Sequence, residues 1–348
     1  MTDVRTEKST DTVVLGANQY GKAENHVVRI TRDTARHEIR DLVVTSQLRG
    51  DLEAVHTRGD NSHCVPTDTQ KNTVFAFAQQ YGIESPEALL LKLSDHFTGE
   101  FEWITGGRWA AQEHAWRRID DHDHCFVQNK DEVRTAVLVT DGDERTVISG
   151  FQDLTVLKST QSGFTGYPKD RYTTLPETED RIMSTDVATR WRYNTTELDF
   201  DAVYEDVKRI ILTKFTDHYS RALQQTLYLM GRAVIEAHPE IDEIKFSCPN
   251  KHHFVYDLGF CDLPNPHETH WAADRPYGLI EATVQRRGAP AHASRRPPSR
   301  PRPSGPFRAG RPRPAARPTP ARSVRPRRRF RVAPHPSPAS SGSRGGPS

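Results

Sequence analysis

An α+β fold of antiparallel sheets with paired helices on one face is what this sequence predicts, on three observations. Strand-like alternation, two helical stretches and renewed alternation follow one another, and after about residue 150 the same order recurs. The helical stretches carry apolar stripes at helical spacing, so each has one face to bury. The apolar residues also belong mostly to residues 1–285, because the last 63 positions are of a different kind. From Arg286 to Ser348 there are 17 Arg and 15 Pro with no Lys, Asp or Glu, which leaves 31 basic against 46 acidic residues in 1–285. An acidic body of about −15 therefore carries a tail of +17.

The elements are read in order. "HVVRITRD" and "HEIRDLVVTSQLRGDLEAVHT" alternate and read as strands joined by charged turns. "PTDTQKNTVFAFAQQYG" reads as a helix that stops at Gly82. "SPEALLLKLSDHFTG" opens on Ser-Pro-Glu and closes on Gly99. Strand-like material resumes in "FEWITGGRWAAQEHAWRRI" and "VRTAVLVTDG". The second round has strands in "FQDLTVLKST" and "VATRWRYNTT". A helix with Phe200, Val203, Val207, Ile210 and Ile211 on one face follows, then one with Leu223, Leu227, Met230 and Val234. "EIKFSCPNKHHFVYDLGF" and "GLIEATVQ" close the round as strands. No residue-level repeat accompanies the repeated layout. Paired helices cover only one face of such a sheet, so the other is expected to meet another sheet or a second chain.

The expected divisions are a flexible N-terminus at 1–11, a first domain at 12–145, a second at 146–285 and a tail at 286–348. With Phe307, Val324, Phe330 and Val332 as almost its only large apolar residues, the tail cannot offset its ordering entropy and reads as disordered. A shifted reading frame at a GC-rich gene end would give the same composition. The body's acidity argues against nucleic acid as its natural partner, and leaves only non-specific attraction through the tail. No apolar run is long enough to span a bilayer, and "MTDVRTEKST" does not read as a signal peptide. Cys64, Cys125, Cys248 and Cys261 form no C-x-x-C pair, which suggests a reducing cytoplasm rather than a disulfide framework.

Three motifs bear on chemistry. Thr67 and Gln70 fit the S/T-x-x-E/Q capping box, at a helix N-terminus that also offers free N–H groups to an anion. "DDHDHCF" (120–126) brings Asp, His and Cys together, but alternating polar residues at a hairpin end do so by chance, and no metal is expected. "HETH" (267–270) lacks the spacing of a zincin helix, and "GANQYG" lacks that of a dinucleotide loop.

Five segments in order give a more specific result: "NQYGK" (18–22), "VPTDTQKNT" (65–73), "LTVLKSTQSGFTGYPKDRYTTL" (154–175), "ETEDRIMSTDV" (177–187) and "PNKHHF" (249–254). Through them, over roughly residues 12–285, the chain resembles the urate oxidase (uricase) family of the tunnelling fold. The resemblance implies two tandem tunnelling-fold domains that assemble into a β-barrel by oligomerisation. It implies a homotetramer with active sites at subunit interfaces. It implies oxidation of urate by O₂ to 5-hydroxyisourate with release of H₂O₂, without cofactor or metal. Members carry a histidine-bearing loop near 120–126 without metal. By the same resemblance Lys22 would activate the Thr67 hydroxyl, and His252 would relay protons to that pair. Arg181 and Gln224 would clamp the two purine edges, and Phe164 would stack on the ring. Asn250 would hold O₂ or water, while Asp68 and Leu223 would add backbone contacts. Each type has a commoner use: a solvated Lys22, a structural His252, a core Phe164, an Arg181 paired with Asp180 or Glu179. Two other readings stand beside this one, a tunnelling-fold pterin or deazapurine enzyme and an anionic-surface binder driven by the tail.

Overall fold

Strands β1 (Tyr20–Thr31) and β2 (Glu38–Gly50) pair antiparallel, and on β2 the side chains of Leu42, Val44, Ser46 and Leu48 alternate inward. They belong to a computed structural model of the chain that describes residues 12–290. The chain continues through a short helix α1 (Glu53–Arg58) and a 3₁₀ turn (Asn61–His63). Helices α2 (Thr67–Tyr81) and α3 (Pro86–Glu100) follow, then strand β3 (Ile104–Glu113). A small hairpin, β4 (Trp116–Arg118) and β5 (Phe126–Gln128), precedes β6 (Val133–Asp141), β7 (Glu144–Lys158) and β8 (Met183–Tyr193). Helices α4 (Phe200–Thr216) and α5 (Leu223–Ala237) and strands β9 (Ile241–Val255) and β10 (His270–Gln285) complete it.

Eight strands make one sheet in the order β1-β2-β3-β6-β7-β8-β9-β10, every neighbouring pair antiparallel. The β4–β5 hairpin stands apart as a two-stranded sheet. The result is a mixed fold of antiparallel sheet and few helices. One apolar core joins inward residues of the sheet (Leu42, Trp109, Leu138, Trp191, Phe246) to Leu89, Leu93 and Phe97 of α3, Val207 and Ile211 of α4, and Leu227, Met230 and Val234 of α5. The predicted stripes are thus the buried faces; of their members Val203 is only partly buried.

The two helix pairs are tied by charge as well. Buried Arg134 on β6 bonds Glu87 of α3 at 2.8 Å and Asp201 of α4 at 2.6 Å, with its guanidinium 4.4 Å from the Tyr204 ring centre. Arg40 joins through Glu113 at 2.7 Å and through Asp201. This network lines a cavity of about 230 Å³.

Three expectations need correction. "LEAVHT" is largely the helix α1, not strand, because the β2 ladder ends at Gly50, where the register shifts. Gly99 does not stop α3, which runs on to Glu100 and gives way to extended backbone at Phe101. The capping box at α2 is absent. The N-cap is Pro66, with no side-chain cap bond, while Gln70 is fully buried and accepts from Ser46 Oγ at 2.9 Å. The sheet's need to satisfy a buried hydroxyl draws Gln70 inward, away from the helix end.

At the C-terminal side Arg286 still belongs to the fold, donating to the carbonyls of Ile235 at 2.7 Å and His238 at 2.9 Å. Arg192 donates to Pro290 O at 3.0 Å. The expectations of a flexible 1–11 and of a disordered tail beyond residue 290 lie outside the described residues. Among the described residues no helix is long and apolar enough to cross a membrane.

Candidate active site

The long connection between β7 and β8 carries Phe164 and Arg181, and backbone bonds fold it onto the segment that enters α5. Gly163 N–H donates to Ser220 O at 2.9 Å, Phe164 N–H to Thr178 O at 2.7 Å, and Arg181 N–H to Ser162 O at 2.8 Å. Glycine is required before Phe164: a Cβ there would lie 2.2 Å from the Tyr219 hydroxyl, which itself donates to Glu179 O. Phe164 is half-buried and stacks on Tyr167 at 4.8 Å and 15°.

Arg181 sits with its guanidinium carbon 5.2 Å from the Phe164 ring centre. Its Nε is buried without a hydrogen-bond partner, and among the described residues it forms no ion pair. The surface pair with Asp180 or Glu179 is therefore not its use; Asp180 instead accepts from Thr160 at 2.8 Å. Burial pushes the Arg181 guanidinium below its ordinary pKa, while Tyr219 opposes the shift. A planar cationic fork beside an aromatic ring and short of acceptors is suited to a flat anion with paired oxygen and nitrogen acceptors.

Strand β9 brings Asn250 and His252, both half-buried, to the same region. Asn250 pairs with Thr185 of β8 and Gly278 of β10, and His252 with Ala273. The His252 ring stacks near Phe254 at 5.6 Å. Its imidazole is held below the ordinary histidine range by desolvation, then by the positive charges of Arg181 and His253. That coupling puts Arg181 and His252 within electrostatic reach of each other.

Helix α5 begins at Leu223, whose side chain is buried in the core, and Gln224, which is exposed and free to reach outward. The N-cap, Ala222, contributes no side-chain bond. Helix α2 likewise begins uncapped, with Thr67 and Asp68 exposed in its first turn. The other two long helices are capped: Ser85 accepts from Ala88 N–H at 3.1 Å and Asp199 from Ala202 N–H at 2.9 Å. The helices that carry predicted substrate residues are thus those whose first N–H groups remain open to an anion.

Near α2, half-buried Lys22 lies on β1 opposite Ser46, just before a bulge that runs to Asn25. Tyr20 OH donates to Val65 O at 3.1 Å and so ties β1 to the entry of α2. The Asp68 carboxyl is held below its ordinary pKa mainly by a hydrogen bond from Lys71 and that residue's charge, with Lys22 contributing. The crowding of Asp68 and Lys71 in one helical turn is this ion pair.

The predicted residues thus gather into two groups. Phe164, Arg181, Leu223, Gln224, Asn250 and His252 stand around β8, β9 and the start of α5; Lys22, Thr67 and Asp68 stand around β1. In the sheet order β1 and β9 are six spacings of about 4.8 Å apart, roughly 29 Å along the sheet, so one chain does not bring the groups together. The free N–H groups at the start of α2 were anticipated, though beside a capping box; the open end of α5 and Tyr167 behind Phe164 were not. The missing Ser, Thr, Asp or Asn before Leu223 was the available signal.

Comparison with known proteins supplies the rest. A family model described as uricase matches residues 18–139 and 147–281. Uricase of Arthrobacter globiformis is 64% identical over 286 residues, covering 82% of this chain and 94% of that protein. Uricase of Danio rerio is 37% identical over 278 residues, covering 77% and 93%. The crystal structure of uricase from Arthrobacter globiformis superposes with a TM-score of 0.80 at 63% identity, covering 82% of this chain and 99% of that one. Urate oxidase from Bacillus sp. TB-90, at 22% identity and a TM-score of 0.68, covering 78% of this chain and 100% of that one, shares the fold.

Proposed function

The chain belongs to the uricase family, and from that membership we propose that it oxidises urate with O₂ without a cofactor, at sites built between neighbouring chains. It is an oxidoreductase, a urate oxidase. The observation that carries the mechanistic reading is Arg181, a half-buried guanidinium without an acid partner beside an aromatic face. Arg181 receives one edge of the purine through its fork, and Gln224 receives the other. Phe164 stacks below the ring, and the open N–H groups at Leu223 and Asp68 add hydrogen bonds to its oxygens.

Lys22 accepts the Thr67 proton while Thr67 takes one from urate; His252, neutral over a widened pH range, passes protons on. The urate dianion gives two electrons to O₂ held with water near Asn250. Water supplies the hydroxyl of 5-hydroxyisourate, and O₂ leaves as H₂O₂. The electron-rich dianion itself is the reductant, so the protein's part is to remove protons, hold the ring and exclude misplacement.

The two groups meet when residues 12–145 of one chain and 146–285 of another face each other as tandem tunnelling-fold domains. Assembly closes the sheets into a barrel, and a homotetramer pairs two such barrels. A reducing cytoplasmic setting suits the four free cysteines.

The test is loss of the urate absorbance band in aerated buffer, with one H₂O₂ formed per urate. Dialysis against EDTA should leave the rate unchanged. Activity restored only by copper, iron or flavin would refute the cofactor-free mechanism, and no urate loss at all would refute the function.

A further inference from the structure

The loop between β4 and β5 gathers metal-ligating side chains that the reaction does not use. As a stretch of sequence, residues 120–126 gave no reason to expect more than chance, and the resemblance implied a loop without metal; the placement of this chain's own side chains points the other way. In space, one donor atom each of His122, His124 and Cys125 lies within 4.8 Å of the other two. From the geometry we infer that this loop binds one zinc-class divalent cation, through two imidazole nitrogens and one thiolate.

Coordination lengths make the arrangement workable. Zinc bonds of about 2.0–2.1 Å to nitrogen and 2.3 Å to sulfur put tetrahedral donors roughly 3.3–3.7 Å apart. His124 Nδ1 already stands 3.9 Å from Cys125 Sγ. The His122 and His124 rings meet edge to face at 4.5 Å, and His122 Nδ1 accepts the His124 N–H at 3.3 Å. Coordination by that nitrogen replaces this long bond. Closing the remaining gap takes side-chain rotation of about 1 Å, cheap for exposed groups.

The backbone beneath is fixed independently. Asp120 and Asp121 both take left-handed conformations, with φ of 47° and 58°, which turn the chain sharply before His122. His37 N–H donates to Asp123 O at 2.9 Å, and Arg118 Nη1 donates to the same oxygen at 2.7 Å. Arg36 pairs with Asp121. Asp121 and Asp123 are thus both engaged by Arg36, while the soft and borderline donors face one another. A mixed nitrogen and sulfur set favours zinc over calcium or magnesium, and water fills the fourth position. Binding displaces the Cys125 thiol proton to the buffer, so it weakens as pH falls.

The experiment titrates metal-stripped, untagged full-length protein with ZnCl₂ by calorimetry and with Co²⁺ by absorption. The expected result is one zinc per chain and a cobalt spectrum with a thiolate charge-transfer band. Cys125→Ser should abolish that band, and His122→Ala with His124→Ala should weaken zinc at least tenfold. Both variants should melt like the wild type without metal and keep its metal-free urate turnover. Zinc binding of equal strength in the variant with His122→Ala and His124→Ala would overturn the inference, as would stoichiometric cobalt lacking the thiolate band or no zinc bound.

Discussion

Two variants, each with little activity of its own at urate well below saturation, test the proposed division of the site between chains. Lys22→Met would remove the proposed proton acceptor from the β1 group, and Arg181→Ala the proposed clamp from the β8–β9 group. Lys22→Met should lower kcat far more than it raises KM, because the purine clamp is intact. Arg181→Ala should act chiefly on KM. The recovery on mixing follows from the sheet. If the groups lie about 29 Å apart on one chain, each site takes one group from each of two chains. In an equal random mixture a site has a one-half chance of an intact Lys22 and a one-half chance of an intact Arg181. About one quarter of sites are then whole, and activity should approach a quarter of the wild-type value. The assay is urate loss after mild dissociation and reassembly, with subunit exchange followed by mass spectrometry of differently labelled chains. Proven exchange without recovery would refute the cross-chain site.

Further outcomes follow from particular contacts. Thr67→Val removes no helix cap, so stability should hold within about 0.5 kcal/mol by thermal melting while turnover collapses; a large loss of stability would contradict this reading. Arg134→Met strands buried Glu87 without its partner and should cost about 3–5 kcal/mol in denaturant unfolding. The His252 pKa is depressed, so its neutral form, and any activity that depends on it, should persist as pH falls through the ordinary histidine range. Arg181→Gln should raise that pKa by removing a nearby positive charge, read by NMR titration of the unliganded protein. Truncation after Pro290 should leave the melting temperature unchanged. Truncation after Gln285 removes the Arg286 bonds to Ile235 and His238 and should cost about 2 kcal/mol.

Periodicity made much of this fold legible, and it did so where an element is long enough to show a period. Val207 and Ile211, or Leu227, Met230 and Val234, repeat over several turns and are the buried faces of α4 and α5. Helix α1 is six residues with no buried member, so its short pattern passed for the end of a strand. The capping box failed for a related reason. Gln70 answers to Ser46, 24 residues away across the core, and the local motif had no access to that partner. Arg134 likewise joins partners 47 and 67 positions distant, and nothing near it in sequence announces the network. The candidate residues were legible because "NQYGK" or "PNKHHF" packs chemistry into a few positions. Their division between chains came only through the resemblance, which implies sites at subunit interfaces; strand order adds the separation of the two groups along the sheet.

Strand order would also give the proposed division of the site a physical cause. Among the described residues the eight-stranded sheet ends in β1 and β10, two edges with unpaired backbone groups, a liability that proteins cover or pair. Both edge strands expose large apolar side chains, Val28 and Ile30 on β1, Trp271 and Leu279 on β10. Pairing β10 of one chain with β1 of the next covers both edges in a single step. It also changes the distance that matters. Lys22 and Asn250, six strand spacings apart within a chain, would be two spacings apart across such a seam, about 10 Å. A planar purine fits between groups at that separation; at 29 Å none does. If chains pair in this way, the contact that removes the sheet's edges is also the one that completes the proposed site, and a variant that weakens the seam should lose turnover in step with assembly.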